Sequence, residues 1–225
     1  MKKSIFLLPI LTLTLICGAC GIDLHTQLKS NVSETCNCYF IGETNDYFIN
    51  LFSGEREKSY KLDGISTQNT QYALLSVKCK TKQDNNEIQY SIEINGETSE
   101  GVLSANPFDN TIEADIQKAL NCDDEIYVYI KCGDNTQVAN LKCISKDFFV
   151  SCDTVLDIAI DEVLNQDVQF DPNKKYECFV QVLNKDDSAH QYFWIVSIVS
   201  NEGDVYNVII DTATGKVLAK NSNNL

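Results

Sequence analysis

Tyr192-Phe-Trp-Ile-Val-Ser-Ile-Val-Ser200, a polar break at Asn201-Glu-Gly-Asp204, and then Val205-Tyr-Asn-Val-Ile-Ile-Asp211 followed by Thr-Ala-Thr-Gly215-Lys-Val-Leu218 decide how this chain ends. Two apolar, β-prone runs separated by a short Gly-containing break predict an antiparallel hairpin. The segment after it predicts a second tight turn. Asp211 can close that turn on backbone amides, and Gly215 supplies the positive φ. The chain is therefore finished by a packed sheet, with Trp194 and Tyr206 as core and pairing residues. It is not finished by a catalytic loop.

Working upstream, Tyr176–Leu183 reads as a third strand, joined to the hairpin through the polar loop Asn184-Lys-Asp-Asp-Ser188. Before it the period changes. Val155, Leu156, Ala159, Ile160, Val163 and Leu164 form one helical face, with Asp157, Asp161 and Glu162 opposite. Asp153 or Thr154 is the expected cap. One amphipathic helix laid on one antiparallel sheet is the economical packing solution for residues 149–225.

From Tyr47 to about Ser145 the pattern alternates with period two. Ala73, Leu75, Val77 and Cys79 share a face; so do Ile88, Tyr90, Ile92 and Ile94, which lead into an Asn95-Gly96 turn. Ile112, Ala114 and Ile116 follow, then Ile126, Val128, Ile130 and Cys132, and after Gly133 come Ala139, Leu141 and Cys143. Short half-buried strands broken by polar turns predict an antiparallel β-sandwich over residues 36–148. The expected fold is thus mostly β with an α+β end.

The amino terminus carries two lysines and then an uncharged run from Ile5 to Ile16, too short to cross a bilayer as a helix. It closes on Cys17-Gly-Ala-Cys20-Gly. This is similar to the leader of bacterial lipoproteins, which implies removal of residues 1–19 and acylation of Cys20. It departs from that pattern in having Cys17 where an aliphatic residue is usual. The alternative is cleavage after Ala19 and a free secreted protein. Residues 20–35 lack a sustained apolar period and read as a tether; the Asn31-Val-Ser33 sequon is read as chance.

Eight cysteines remain in an exported chain: Cys36, Cys38, Cys79, Cys122, Cys132, Cys143, Cys152 and Cys178. An even number in an oxidising compartment predicts disulfides, among many connectivities. Zinc is the competitor, but Cys36-Asn-Cys38 has no matching second pair. Net charge is −14, with a single arginine, Arg56. Losing Lys2 and Lys3 takes that to −16, so nucleic acid is excluded as a partner.

Catalytic chemistry is hard to find. The two histidines are His25, in the expected tether, and His190, beside Asp186 and Asp187; no Gly-x-Ser-x-Gly elbow occurs. The acidic runs Asp84–Glu87 and Asp123–Glu125 lack the spacing of a calcium loop and read as solvated turns. Tyr127 and Tyr129 lie opposite Val128 and Ile130, where they either cover the sheet or form a binding patch. No cofactor, no metal and no enzyme activity are expected.

Two resemblances sharpen this. The helix, the Trp194 strand, Tyr206-Asn-Val208 and Asp211-Thr-Ala-Thr-Gly215 together resemble a PepSY domain, over Ser151 to Lys220. The departures are Cys152, Cys178 and the long loop before the Trp strand. That resemblance implies a non-enzymatic protein-binding module that regulates or inhibits a secreted peptidase, with Trp194, Tyr206, Asp211 and Gly215 as architecture. More weakly, the 53-residue spacing of Cys79 and Cys132 on inward faces is similar to an immunoglobulin-like domain. It implies a Cys79–Cys132 inter-sheet bond as the best pair, with Cys152–Cys178 next. Tyr90 and Ile130 stand where that family has Trp and Tyr. The expectation is a lipid-anchored binding protein on the outer face of the membrane; the alternative is an adhesive envelope protein binding carbohydrate or matrix through the sandwich.

Overall fold

The computed structural model describes residues 23–59, 61–81, 87–107, 110–165, 171, 173–186 and 191–223. The expected leader, Cys20, residues 84–86 of the acidic run, Asp187 and His190 lie outside these, as does the side chain of Asp186. The described chain opens with helix α1 (Leu24–Ser30) and then strands β1 (Val32–Glu43), β2 (Tyr47–Glu57) and β3 (Asn69–Cys79). Next come β4 (Ile88–Ile94), β5 (Glu97–Val102), β6 (Ser104–Ala105), β7 (Thr111–Ile116), β8 (Ile126–Cys132) and β9 (Asn135–Cys143). A 3₁₀ turn (Ser145–Asp147) leads into helix α2 (Cys152–Leu164), followed by β10 (Tyr176–Asp186), β11 (Gln191–Ser200), β12 (Val205–Asp211) and β13 (Val217–Asn223).

The long sheet runs β13-β12-β11-β10-β1-β2-β3-β7-β6, and every neighbour is antiparallel except β1 on β10. A second layer, β5-β4-β8-β9, joins it where Phe40 and Ile41 of β1 meet Cys143 and Lys142 of β9. The fold is thus mostly antiparallel β, sandwich-like in its first part.

Two cores follow from the two layers. Phe40, Ile49, Leu51, Ala73, Leu75 and Val77 face Ile92, Ile126, Val128 and Ile130 across the sandwich. The alternating faces expected there are the buried ones. Val155, Leu156, Ala159 and Ile160 of α2 pack on Val180, Trp194, Val196, Val208 and Ile210. Ser151, not Asp153 or Thr154, caps α2: its Oγ accepts from the Thr154 amide at 3.4 Å.

The tether is corrected. Residues 23–35 are α1 and the first part of β1, leaving two residues between Cys20 and Asp23, the cap of α1. Strand β1 hides its period because its buried polar residues are answered by partners far along the chain. Ser33 Oγ donates to the buried Glu177 carboxylate at 2.8 Å, which also accepts the Gly64 amide at 2.6 Å. A bulge between Cys36 and Cys38 then swaps the faces of the strand. Gly54, opposite Cys36, makes room: a Cβ there would fall 1.8 Å from the Thr35 carbonyl oxygen.

The expected boundary near residue 148 divides neither the sheet nor the helix-covered core, which takes in Leu28, Cys36 and Tyr39 from the first part. Val32, Glu34 and Thr35 pair with Cys178, Phe179 and Val180, and α1 packs on α2. Asn31, in the expected chance sequon, is a tie rather than an acceptor. Its amide donates to the carbonyls of Gly64 and Tyr176, and its Oδ1 accepts the Ser66 amide at 2.6 Å.

Candidate functional site

Strand β1 runs beside β10 only as far as Thr35 and then leaves it, so the long sheet forks. Two hollows open along β1 at this fork. The larger, about 330 Å³, is lined by Ile41 and Glu43 of β1, Phe48 and Asn50 of β2, Asn140 and Lys142 of β9, Asn184 of β10 and Tyr192 of β11. The smaller, about 200 Å³, lies further back along the same strands, between Glu34, Cys36, Phe52, Arg56, Tyr72 and Val182. Between them Tyr39 stacks on Phe52 with ring centroids 4.6 Å apart.

The same alternation that builds the sandwich core places these groups. Tyr47, Ile49 and Leu51 point into that core, so Phe48, Asn50 and Phe52 point to the opposite face. There they are only half-buried, because α2 lies mainly over β1 and β10 to β12. Tyr192 stands edge-on to Tyr39 at 5.5 Å, and the Tyr39 hydroxyl donates to Asn50 Oδ1 at 3.1 Å. At the rim, Lys80 holds Glu43 at 2.8 Å and lies 4.5 Å from the centre of the Phe48 ring.

The smaller hollow holds the one arginine. Arg56 sits 4.6 Å over the Tyr72 ring and pairs with Asp115 at 2.7 Å. The Tyr72 hydroxyl and the Gln181 amide both donate to Glu34, at 2.8 and 3.0 Å. Burial, and then the Glu34 charge, push the Tyr72 phenol well above its ordinary range. Burial likewise pushes the Cys36 thiol up, so it is held protonated and is a poor nucleophile.

Chemically the groove offers aromatic faces, three asparagine amides, the ion pairs Glu43–Lys80 and Arg56–Asp115, and the exposed Lys142 in the wall of the larger hollow. Such a set can offer both apolar contact and hydrogen bonds to a ligand. It contains no nucleophile paired with a base.

The other expected residues lie elsewhere. Asp211 Oδ1 accepts from the amides of Ala213 and Thr214, at 3.1 and 2.8 Å, and Gly215 has φ +69°. Trp194 and Tyr206 are buried beneath α2. Of the acidic run at Asp123, the first carboxylate pairs with Lys146 at 2.5 Å, and Asp124 accepts Asn95 Nδ2 at 2.8 Å and the Asn121 amide at 2.7 Å. Lys146 holds Asp123 below the usual carboxylate range. Tyr127 donates to Glu125 at 2.6 Å on the outer face of the second layer, with Tyr129 half-buried beside it.

The cysteines re-sort. Cys122 and Cys143 form a disulfide; the other six described cysteines are thiols. Cys152 does not meet Cys178: the Cys178 thiol donates to the Leu28 carbonyl at 3.5 Å, beneath α1. The expectation failed because α1, unseen in the sequence, occupies the space over Cys178. Among the described residues no group of three His, Cys, Asp or Glu side chains could hold a metal ion, and no helix is long and apolar enough to cross a membrane.

No family model matches the chain, and no curated protein or solved structure does so either. The geometry of the fork therefore carries the functional argument by itself. Of the residues lining it, the sequence singled out Cys36 as a candidate disulfide cysteine and gave none of the aromatic or asparagine side chains a binding role. The signal available was the first half of a strand, 47–52, with apolar residues on both faces.

Proposed function

We propose that this chain is an exported, lipid-anchored binding protein, and that the groove along β1 takes an extended, uncharged segment of a partner protein. The observation that supports it most is the fork itself. A sheet that splits leaves a long trough whose walls are strands, and an extended chain is the ligand such a trough fits. Asn50, Asn140 and Asn184 would read main-chain amides, and Phe48, Phe52 and Tyr192 would take apolar side chains. On this reading the part after residue 148 is PepSY-like and the part before it immunoglobulin-like. The sharpest partner is a secreted peptidase, held or inhibited through such a segment.

Anchoring at Cys20 gives the reading a spatial consequence. The three residue steps from Cys20 to Asp23 can span at most about 10 Å, so the groove is kept within a protein diameter of the bilayer. The anchor then works by raising local concentration and limiting orientation.

Titration calorimetry with extended neutral peptides, beside soluble wall and matrix glycans, tests the ligand class. Peptide binding weakened at least about tenfold by Asn50→Ala or Tyr192→Ala is the expected result. Equal binding by the variants removes the groove from the argument. Glycan binding alone would transfer the function to a carbohydrate-binding envelope protein.

A further inference from the structure

Four neighbouring strands bring polar residues to one end of the long sheet, beneath the connection from β2 to β3. Glu177 stands on β10, Ser33 on β1, Glu57 on β2 and Asn69 on β3, in the order in which those strands lie. Glu177 is 0% and Glu57 5% exposed. Among the described residues neither carboxylate has a lysine, arginine or histidine within ion-pair distance. Buried charges are paired or coordinate a metal, so this row of two needs a balancing group.

The two carboxylates are not equally served. Ser33 Oγ donates to one Glu177 oxygen at 2.8 Å and the Gly64 amide to the other at 2.6 Å. Glu57 accepts the Thr67 amide on Oε1, whereas its Oε2 is buried without a hydrogen-bond partner. Asn69 is the residue opposite Glu57 in the β2–β3 ladder, so the two side chains share a face. Asn69 Nδ2 reaches past β2 to donate to the Val32 carbonyl of β1 at 3.0 Å, which carries the amide over position 57. Its Oδ1 is likewise buried and unpartnered. The donation to Val32 also fixes which way the amide points: turned over, it would set oxygen against oxygen. Two bare oxygens, one of them on a carboxylate, are thereby brought side by side.

The donors of the overlying connection are spent. The Gly64 and Thr67 amides serve the two carboxylates, and the Ser66 amide serves Asn31 Oδ1 at 2.6 Å. Water would supply hydrogens to both bare oxygens but leave the charge unbalanced; a cation answers both demands. Donors that are oxygen alone select a hard ion.

We propose that Glu57 Oε2 and Asn69 Oδ1 are protein ligands of a calcium ion bound beneath the β2–β3 connection, with water completing its shell. Calcium fits better than magnesium because its coordination is flexible and accepts oxygens at the angles two strands impose, whereas magnesium demands a near-regular octahedron. One carboxylate and one amide make a weak site, with a dissociation constant of about 10⁻⁴–10⁻³ M, as in extracellular calcium modules. The site lies at the closed end of the fork, since Val32, which holds the Asn69 amide, still pairs with Cys178 of β10. Calcium there fastens the strands just behind the groove, and its binding is independent of what the groove takes.

The test is a set of thermal melts of the full chain in chelator, in calcium chloride and in magnesium chloride at matched ionic strength. At about 10 mM, calcium should raise the melting temperature by about 3–10 °C over chelator, and magnesium by about 1 °C at most. Glu57→Gln puts an amide donor beside the Asn69 oxygen and removes the charge. That variant should fold in chelator and lose the calcium response. Nuclear magnetic resonance locates the ion even if the variant does not fold: on titrating the wild-type chain with calcium chloride, the Thr67 backbone amide and the Asn69 side-chain amide should shift most. A wild-type melt that calcium leaves unmoved overturns the proposal. So does an equal response to magnesium, which is mere screening of a chain with net charge −14. Shifts gathered at other carboxylates, or a folded Glu57→Gln chain that still responds, overturn it as well.

Discussion

Asp211 and Gly215 show how much one turn asks of two residues. The carboxylate receives two amides, and the left-handed glycine lets its own amide reach the Asp211 carbonyl at 2.9 Å. A methyl group at 215 would sit 2.9 Å from Val150 Cγ1, in addition to the strain of φ +69°. Gly215→Ala should therefore cost about 1–2 kcal/mol, read as a lower urea midpoint at unchanged slope. Asn31 is a stronger case, since its amide serves three backbone groups from separate segments. Asn31→Ala leaves those groups without their partner and should cost about 2–3 kcal/mol by the same measurement. A loss below about 0.5 kcal/mol would mean that water replaces the amide without penalty.

At the scale of elements, α1 has seven residues and is far too short to be stable alone. Its place is set by Leu28, 1% exposed, and by Lys29, which pairs with Asp157 of α2 at 2.7 Å. These contributions differ in kind. Leu28→Ala should cost about 2–5 kcal/mol, whereas Lys29→Ala should cost no more than about 1, because that pair is solvent-exposed. Raising the salt concentration should shrink the second effect and leave the first, which thermal melts of both variants would reveal. The bulge of β1 makes a similar demand on β2. Gly54→Ala places carbon inside the Thr35 carbonyl, so it should lower the yield of folded protein more than any glycine substitution in an open turn, such as Gly96→Ala.

For the molecule as a whole, acid is the informative variable. Asp204, 5% exposed, is held by Lys174 at 2.6 Å and by Ser200, which keep its carboxyl below the usual carboxylate range. Lys174 is correspondingly raised by Asp204 and Glu202. Since the folded pKa of Asp204 lies below the unfolded one, its contribution is complete above the unfolded value, near 3.8. It disappears as pH falls through the folded value. Melting temperatures should hold from neutral pH down to about 5 and then drop, and Asp204→Asn should flatten the drop while lowering the plateau. An identical acid profile in the variant would assign the loss to other carboxylates of this strongly acidic chain.

What the chain's own order of residues determines is local. Alternation in 73–79, 88–94 and 126–132, the helical period from Val155 to Leu164, the Asn95-Gly96 and Asp211 turns, and three strands ending at Asp211 are all encoded by neighbours in sequence. They appear in the fold where they were expected, with small shifts at their ends. What only tertiary structure decided involves partners more than a hundred residues apart. Ser33 is buried by Glu177, Cys178 is covered by α1, and β1 is shared between two cores before it departs from β10 to open the groove. The physical reason is the same in each case. A polar residue can be buried only when its hydrogen-bond partner arrives, and nothing near Ser33 or Asn31 in the sequence announces that partner.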